Sequence, residues 1–390
     1  MKTFPKSDML KQLPEQFFAV LAEKMENAVA EGHDVINLGQ GSPDKPTPPH
    51  VIKRLEEASQ QVENHKYPPF RGKKNLLNAV AEFYQREYGV DIAPDTEVAV
   101  LFGAKAGLVE LPLCLMNPGE TMLVPDPGYP DYWSGPAMAS VSMYKMPLLS
   151  ENQFLPIYDD IPQEVKEASK MLLLNYPNNP TGAMASPEFF DETIAFAEKH
   201  DLCVVHDFAY GAIGFDGNKP TSYLERPGAK DIGIEIYTMS KTYNMAGWRI
   251  AFAVGNPSVI EAINIIQDHL YCSVFGAVQD AAAEALTASQ EGVDELVELY
   301  EERRNALVEG AHNIGWDIDA PEGSFFAWLK VPAGYTSASF ADMLLEEAKV
   351  LVAPGIGFGE HGEGYVRAGL VMEKERILEA LDRIDKLNIF

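Results

Sequence analysis

Residues 171–210 read MLLLNYPNNPTGAMASPEFFDETIAFAEKHDLCVVHDFAY. The apolar run Met171–Asn175 predicts a buried strand, and the Asn, Pro and Gly after it predict a turn. Ser186 followed by Pro187 predicts an N-cap and a first helical residue. Phe189, Phe190, Ile194 and Ala197 then fall on one helical face. Leu202–His206 is a second buried strand, and it ends on Asp207. Strand, helix and strand in this order predict an α/β layered domain with right-handed crossovers.

Outward from this stretch the same grammar repeats. Val98–Phe102, Thr121–Val124, Val141–Met146, Ile234–Thr238 and Ile250–Val254 are further short apolar runs. Several are apolar throughout rather than alternating, which suits strands covered on both faces of a mainly parallel sheet of seven strands. Leu76, Leu77, Val80, Phe83, Tyr84 and Tyr88 have the spacing of one buried helix face. Near residue 280 the composition changes. The stretch 280–313 is rich in Ala and Glu, lacks Pro, and predicts one or two long helices. Strand-like 324–329, helix-like 339–348, strand-like 350–353 and 364–370, and a closing helix from Glu373 make a smaller α+β unit. The organisation expected is an N-terminal segment 1–45 packed on the small unit, a large domain 46–280 and a small C-terminal domain 281–390.

The chain has 390 residues, with 31 Lys and Arg against 58 Asp and Glu, a net charge of −27. That acidity argues against nucleic acid, whose phosphates require a basic surface, and against an anionic membrane surface. Three separated cysteines without a CxxC pair argue against a disulfide framework or a zinc site. The eight histidines have no metal-ligand spacing, so no metal is expected. No apolar run has the length of a membrane-spanning helix, and no secretory signal is visible at Met1–Met25. The expected address is the cytoplasm.

Three motifs carry chemistry, each at the end of a predicted strand. They are Asn175–Gly182, Val204–Tyr210 and Thr238–Arg249. Alone, the first is a common turn, Asp207 is a capping residue, and Lys241 is a solvated loop lysine. Together they would converge on one edge of the sheet, where open α/β sheets bind ligands. A lysine held in a dry site loses pKa and attacks carbonyls. Asn, Asp, Tyr, Lys and Arg form a coherent set for pyridoxal 5′-phosphate. That cofactor needs an amine, an acid facing its ring nitrogen, donors to its phenolic oxygen, and cations at its phosphate. Gly357–Gly362 formally fits GxGxxG, but strand-like sequence follows it. It is therefore expected to be a flexible loop and not a dinucleotide site.

NNPTG, HDFAY and SKTYNMAGWR in this order resemble the fold-type I pyridoxal-phosphate enzymes, and within them the class I aminotransferases, over nearly the whole chain. The resemblance implies an aspartate-aminotransferase-like fold and a homodimer with shared active sites. It also implies catalytic roles for Lys241, Asp207 and Tyr210. Lys241 matches the Schiff-base lysine that also shuttles the substrate's α-proton. Asp207 matches the acid at the ring nitrogen, Tyr210 and Asn179 the donors to the phenolic oxygen, and Arg249 the phosphate arginine. Gly103, Ala104 and Lys105 resemble the phosphate-cradling turn, with Thr238 or Ser240 adding a hydroxyl. Tyr129 matches the aromatic residue stacked on the ring. Tyr67 matches the tyrosine that reaches the partner's phosphate. Arg367 resembles the fork for the substrate carboxylate, with Gly41 and Asn179 beside it.

The implied reaction is ping-pong transamination between an L-amino acid and a 2-oxo acid. Longer blocks, such as 354–364, look most like the methionine-salvage branch, which aminates 2-oxo-4-methylthiobutyrate. Phe17, Phe18 and Tyr67 would supply an apolar lid. The alternatives are an aspartate- or diaminopimelate-type aminotransferase, a C–S β-lyase, or a non-catalytic cofactor-sensing regulator. A positive pocket within a negative surface is expected.

Overall fold

In the computed structural model, which describes residues 1–14 and 16–390, the seven apolar runs form one sheet. Its strands are β1 (Val98–Leu101), β2 (Thr121–Asp126), β3 (Ser142–Pro147), β4 (Ser169–Leu174), β5 (Cys203–Asp207), β6 (Gly233–Thr238) and β7 (Ala251–Gly255). Their spatial order is β1-β7-β6-β5-β4-β2-β3. All neighbours are parallel except β7, which runs antiparallel to both β1 and β6.

Side chains alternate across the pleat, so the sheet feeds two apolar layers. Val98, Val100, Leu172, Leu174 and Val204 face the helices Lys74–Tyr88, Pro187–His200 and Gly276–Thr287. Ala99, Leu101, Met171, Leu173 and Val205 face Ala104–Leu115 and Pro257–Leu270. Burial on both faces explains why these strands are apolar throughout. The helix Pro187–His200 starts as expected: Pro187 sits in its first turn and the Phe189 N–H donates to Ser186 Oγ at 3.2 Å.

The Ala/Glu-rich region forms two helices, Gly276–Thr287 and Glu291–Asn313. The first crosses residue 280 and packs with the large sheet, whereas the second packs in a separate apolar core. That second core holds the antiparallel strands β8 (Phe326–Lys330), β9 (Ala353–Pro354) and β10 (Tyr365–Gly369) and the closing helix Lys374–Asp385. The expected helix at 339–348 is α-helical over Ser337–Met343 and π-helical over Leu344–Ala348. Ile36–Asn37 pairs in parallel with Val350–Leu351, and Phe17, Phe18 and Leu21 pack against Trp328, Leu351 and Phe358.

The loop expected to be flexible, 357–362, is pinned instead. The Gly128 N–H donates to the Phe358 carbonyl at 2.8 Å, and the His361 N–H donates to Asp126 Oδ1 at 3.2 Å. Phe358 is buried, and a Cβ on Gly359 would collide with the Asp126 carboxylate. Its glycines serve close packing against β2, not phosphate approach.

Candidate active site

The carboxyl ends of β2, β4, β5 and β6 open onto one cavity of about 460 Å³, closed on the far side by residues of the N-terminal segment and of β8 and β10. Of the site and lid residues singled out in sequence, all but Gly103, Phe17 and Tyr67 line it.

Lys241 lies in the single helical turn Met239–Thr242 that follows β6. Its Nζ donates to the Gly41 carbonyl at 2.9 Å and sits 5.3 Å from the centre of the Phe325 ring. Burial, with Arg367 and Arg249 nearby, pulls its pKa down to about 8. Asp207 ends β5 and is 5 % exposed. Its Oδ2 accepts from the Tyr132 hydroxyl at 2.7 Å, while Oδ1 is buried and has no partner among the described residues. Burial pushes its carboxyl up to about 6, against the opposing pull of Tyr132, His206, Lys241 and the backbone N–H of Ala209. An unpartnered buried carboxylate oxygen is costly and marks a place for a donor from outside the chain.

The Asn-rich turn is held by its own side chains. Asn175 Nδ2 donates to the Asp207 carbonyl at 2.8 Å, and its Oδ1 accepts from the Asn179 N–H at 2.8 Å. Asn178 Oδ1 takes the Thr181 N–H and hydroxyl. Asn179 Oδ1 accepts from Arg367 Nη1 at 2.8 Å, which orients the amide so that its N–H₂ remains a donor toward the cavity. Arg367 is 1 % exposed. Its Nη2 donates to the Gly39 carbonyl at 3.0 Å, and its guanidinium stacks on Phe326 at 3.9 Å and Phe358 at 4.7 Å. Burial lowers its pKa, yet a guanidinium stays charged in proteins and so favours an anion beside it.

At the other end of the cavity, Gly103 opens the helix Ala104–Leu115 with φ +80°, and a Cβ there would run into the Arg249 guanidinium. The first N–H groups of that helix, at Ala104 and Lys105, have no intrahelical acceptor. The Thr238 hydroxyl donates to Ser240 Oγ at 2.9 Å, which leaves the Ser240 proton available to a ligand. The Lys105 ammonium is not a free cation: it pairs with Asp131 at 2.9 Å. Tyr129 lines the cavity with its ring 5.6 Å from Tyr132 and 6.2 Å from Phe18. Tyr210 is buried against Phe325 and Phe326. Tyr67 stands 87 % exposed, away from the cavity.

Four cationic side chains, Lys105, Lys241, Arg249 and Arg367, line the cavity against one acid, Asp207. The pocket is thus positive within a chain of net charge −27. Sequence reasoning missed Tyr132, the aromatic bed of Arg367 at Phe326 and Phe358, and the brace from Asn175. Tyr132 had one local signal: it lies three residues after Tyr129, and residues three apart eclipse in a 3₁₀ turn.

Residues 33–384 match the family described as aminotransferase class I and II. The chain belongs to that family, and it is an enzyme that moves an amino group between an amino acid and a 2-oxo acid. It is 62 % identical over 387 residues to the L-glutamine–4-(methylsulfanyl)-2-oxobutanoate aminotransferase of Bacillus subtilis (strain 168), covering 99 % of this chain and 97 % of that protein. It is 46 % identical over 378 residues to the LL-diaminopimelate aminotransferase of Moorella thermoacetica, covering 97 % of each. Among solved structures, apo BacF from Bacillus subtilis superposes with a TM-score of 0.95 at 47 % identity, covering 100 % of this chain and 99 % of that one. An aspartate aminotransferase of Thermus thermophilus gives 0.92 at 28 %, covering 99 % and 100 %.

Proposed function

We propose that this enzyme holds pyridoxal 5′-phosphate in the cavity and transfers the amino group of L-glutamine to 4-(methylsulfanyl)-2-oxobutanoate, yielding methionine in a ping-pong cycle. The residues present fit the cofactor. Asp207 Oδ1 lacks a partner where a ring N–H would find one, and the Gly103–Lys105 turn with Ser240 and Arg249 suits a phosphate. Tyr210 and the Asn179 amide would hold the phenolic oxygen, and Tyr129 would cover the ring. When bound, the cofactor supplies the aldehyde that anchors it to Lys241 and a protonated ring that accepts electron density from the substrate's α-carbon.

The protein's own part is positioning and proton transfer. Arg367, held flat by Phe326 and Phe358, forks the substrate carboxylate beside Gly41 and Asn179. Lys241 Nζ, with its lowered pKa, takes and returns the α-proton. Phe18, Leu21 and Leu351 line the cavity and keep water from the side-chain end.

One observation carries the choice of substrate. The cations of the cavity are already committed: Lys105 to Asp131, and Lys241, Arg249 and Arg367 to the roles above. Among the described residues lining the cavity no cation remains for a second carboxylate, so an apolar thioether suits the site better than a dicarboxylate. A panel of amino donors and 2-oxo acids, read through the cofactor's absorbance change, tests this. Fast turnover of the methylthio acid is the expected outcome, and preference for diaminopimelate or aspartate would replace the reading.

The same proposal includes a cytoplasmic homodimer in which Tyr67 reaches the partner's site. Three unpaired cysteines support that address, and no described helix is long and apolar enough to cross a membrane. The two apolar cores support a large and a small domain, with the seam in the turn between Thr287 and Glu291.

A further inference from the structure

A buried carboxylate presents two oxygens, and only one of them can face a given donor. In Asp207 they are not equivalent: Oδ2 takes the Tyr132 hydroxyl at 2.7 Å and Oδ1 takes nothing from the chain. Tyr132 is itself 3 % exposed and lies in the 3₁₀ turn Pro130–Trp133. That turn is anchored on three sides. Asp131 pairs with Lys105 at the start of the helix Ala104–Leu115, Gly128 donates to the Phe358 carbonyl, and Tyr129 packs edge-on against the Tyr132 ring. The Asp207 carbonyl is separately held by Asn175 Nδ2. The carboxylate is therefore tied at its backbone and at one oxygen.

We propose that Tyr132 is the positioning residue for Asp207: its hydroxyl occupies Oδ2, so that Oδ1 alone is offered to the ring nitrogen of the cofactor. This rests on the cofactor reading above and adds a residue to it. The charged and titratable groups around Asp207 are Tyr132 and Tyr129 from the turn, His206 from its own strand, Tyr210 just after it, and Lys241 from the turn after β6. His206 is turned away, since its Nδ1 pairs with the buried Glu235 at 2.9 Å. Tyr132 is then the sole side chain in direct hydrogen-bond contact with the carboxylate among the described residues. Its donated hydrogen bond also opposes the burial that raises the Asp207 pKa.

The test is a double-mutant cycle on the full-length apoprotein, titrated with pyridoxal 5′-phosphate at several pH values. Tyr132→Phe keeps the ring and its packing and removes only the hydroxyl. In the unmodified background it should weaken cofactor binding about tenfold, the usual effect of a hydrogen bond to a charged group. It should also move the acid limb of binding to higher pH. Without the donor, burial raises the carboxyl further, so the ionised form is lost sooner as pH falls. The cofactor's phosphate titrates alike in both proteins, so the difference isolates Asp207. In an Asp207→Asn background, Tyr132→Phe should have little further effect. Equal losses in both backgrounds, or no loss in either, would overturn the proposal. Failure of the unmodified chain to bind the cofactor would overturn the underlying reading, and this inference with it.

Discussion

Lys241 has two properties that a solvated lysine lacks: burial and two guanidinium groups nearby, which together lower its pKa to about 8. A lowered pKa means that the neutral amine persists to lower pH. Capture of pyridoxal 5′-phosphate by the apoprotein should therefore rise about tenfold per unit up to about pH 8 and then level off. A solvated lysine would keep rising to about pH 10.4. Stopped-flow absorbance against pH distinguishes the two. At Arg367 geometry decides. Arg367→Lys keeps a charge but loses the planar fork and the stacking on Phe326. KM for both substrates should rise about 10- to 100-fold, with a smaller change in kcat. Steady-state kinetics check it, and an unchanged KM would remove Arg367 from the substrate site. At this scale Lys241, Asp207, Asn179 and Arg249 were legible because each sits in a short motif at a strand end. Tyr132 was not, because its partner is 75 positions away in sequence, and a contact of that range leaves no periodic trace.

The working parts of the cavity are turns at strand ends, and their backbone shape matters as much as their side chains. Gly103 has φ +80°, and a Cβ there would meet the Arg249 guanidinium. Gly103→Ala should cost about 1–2 kcal/mol in the strained conformation and displace that guanidinium. Cofactor affinity should fall at least about tenfold by equilibrium dialysis, with native circular dichroism retained. All seven strands of the large sheet were readable, six of them because burial on both faces writes an apolar run, whereas the edge strand β3 is only partly buried. Strand direction was not: β7 runs antiparallel to both its neighbours, yet its composition matches that of the parallel strands. The 357–362 loop misled for a related reason. Its glycines allow contact with Asp126 and Gly128, and that partner lies more than two hundred residues upstream.

Across the whole molecule, the charge of −27 belongs to the exterior, while Lys241, Arg249 and Arg367 line the cavity, where the proposed function would have them meet two anions. The exterior also exposes Val62, Tyr67, Phe70, Leu270 and Phe275, large apolar side chains that the proposed dimer would be expected to cover. Sedimentation at moderate salt should give twice the chain mass, and a fully active monomer would contradict the dimer. All of this depends on a single covalent claim, that Lys241 and no other lysine carries the cofactor. The direct measurement is borohydride reduction of the loaded enzyme, proteolysis and mass mapping. A pyridoxyl-phosphate adduct should be confined to the peptide containing Lys241 and be lost in Lys241→Ala together with turnover. An adduct on another lysine, or turnover that survives Lys241→Ala, would contradict that claim.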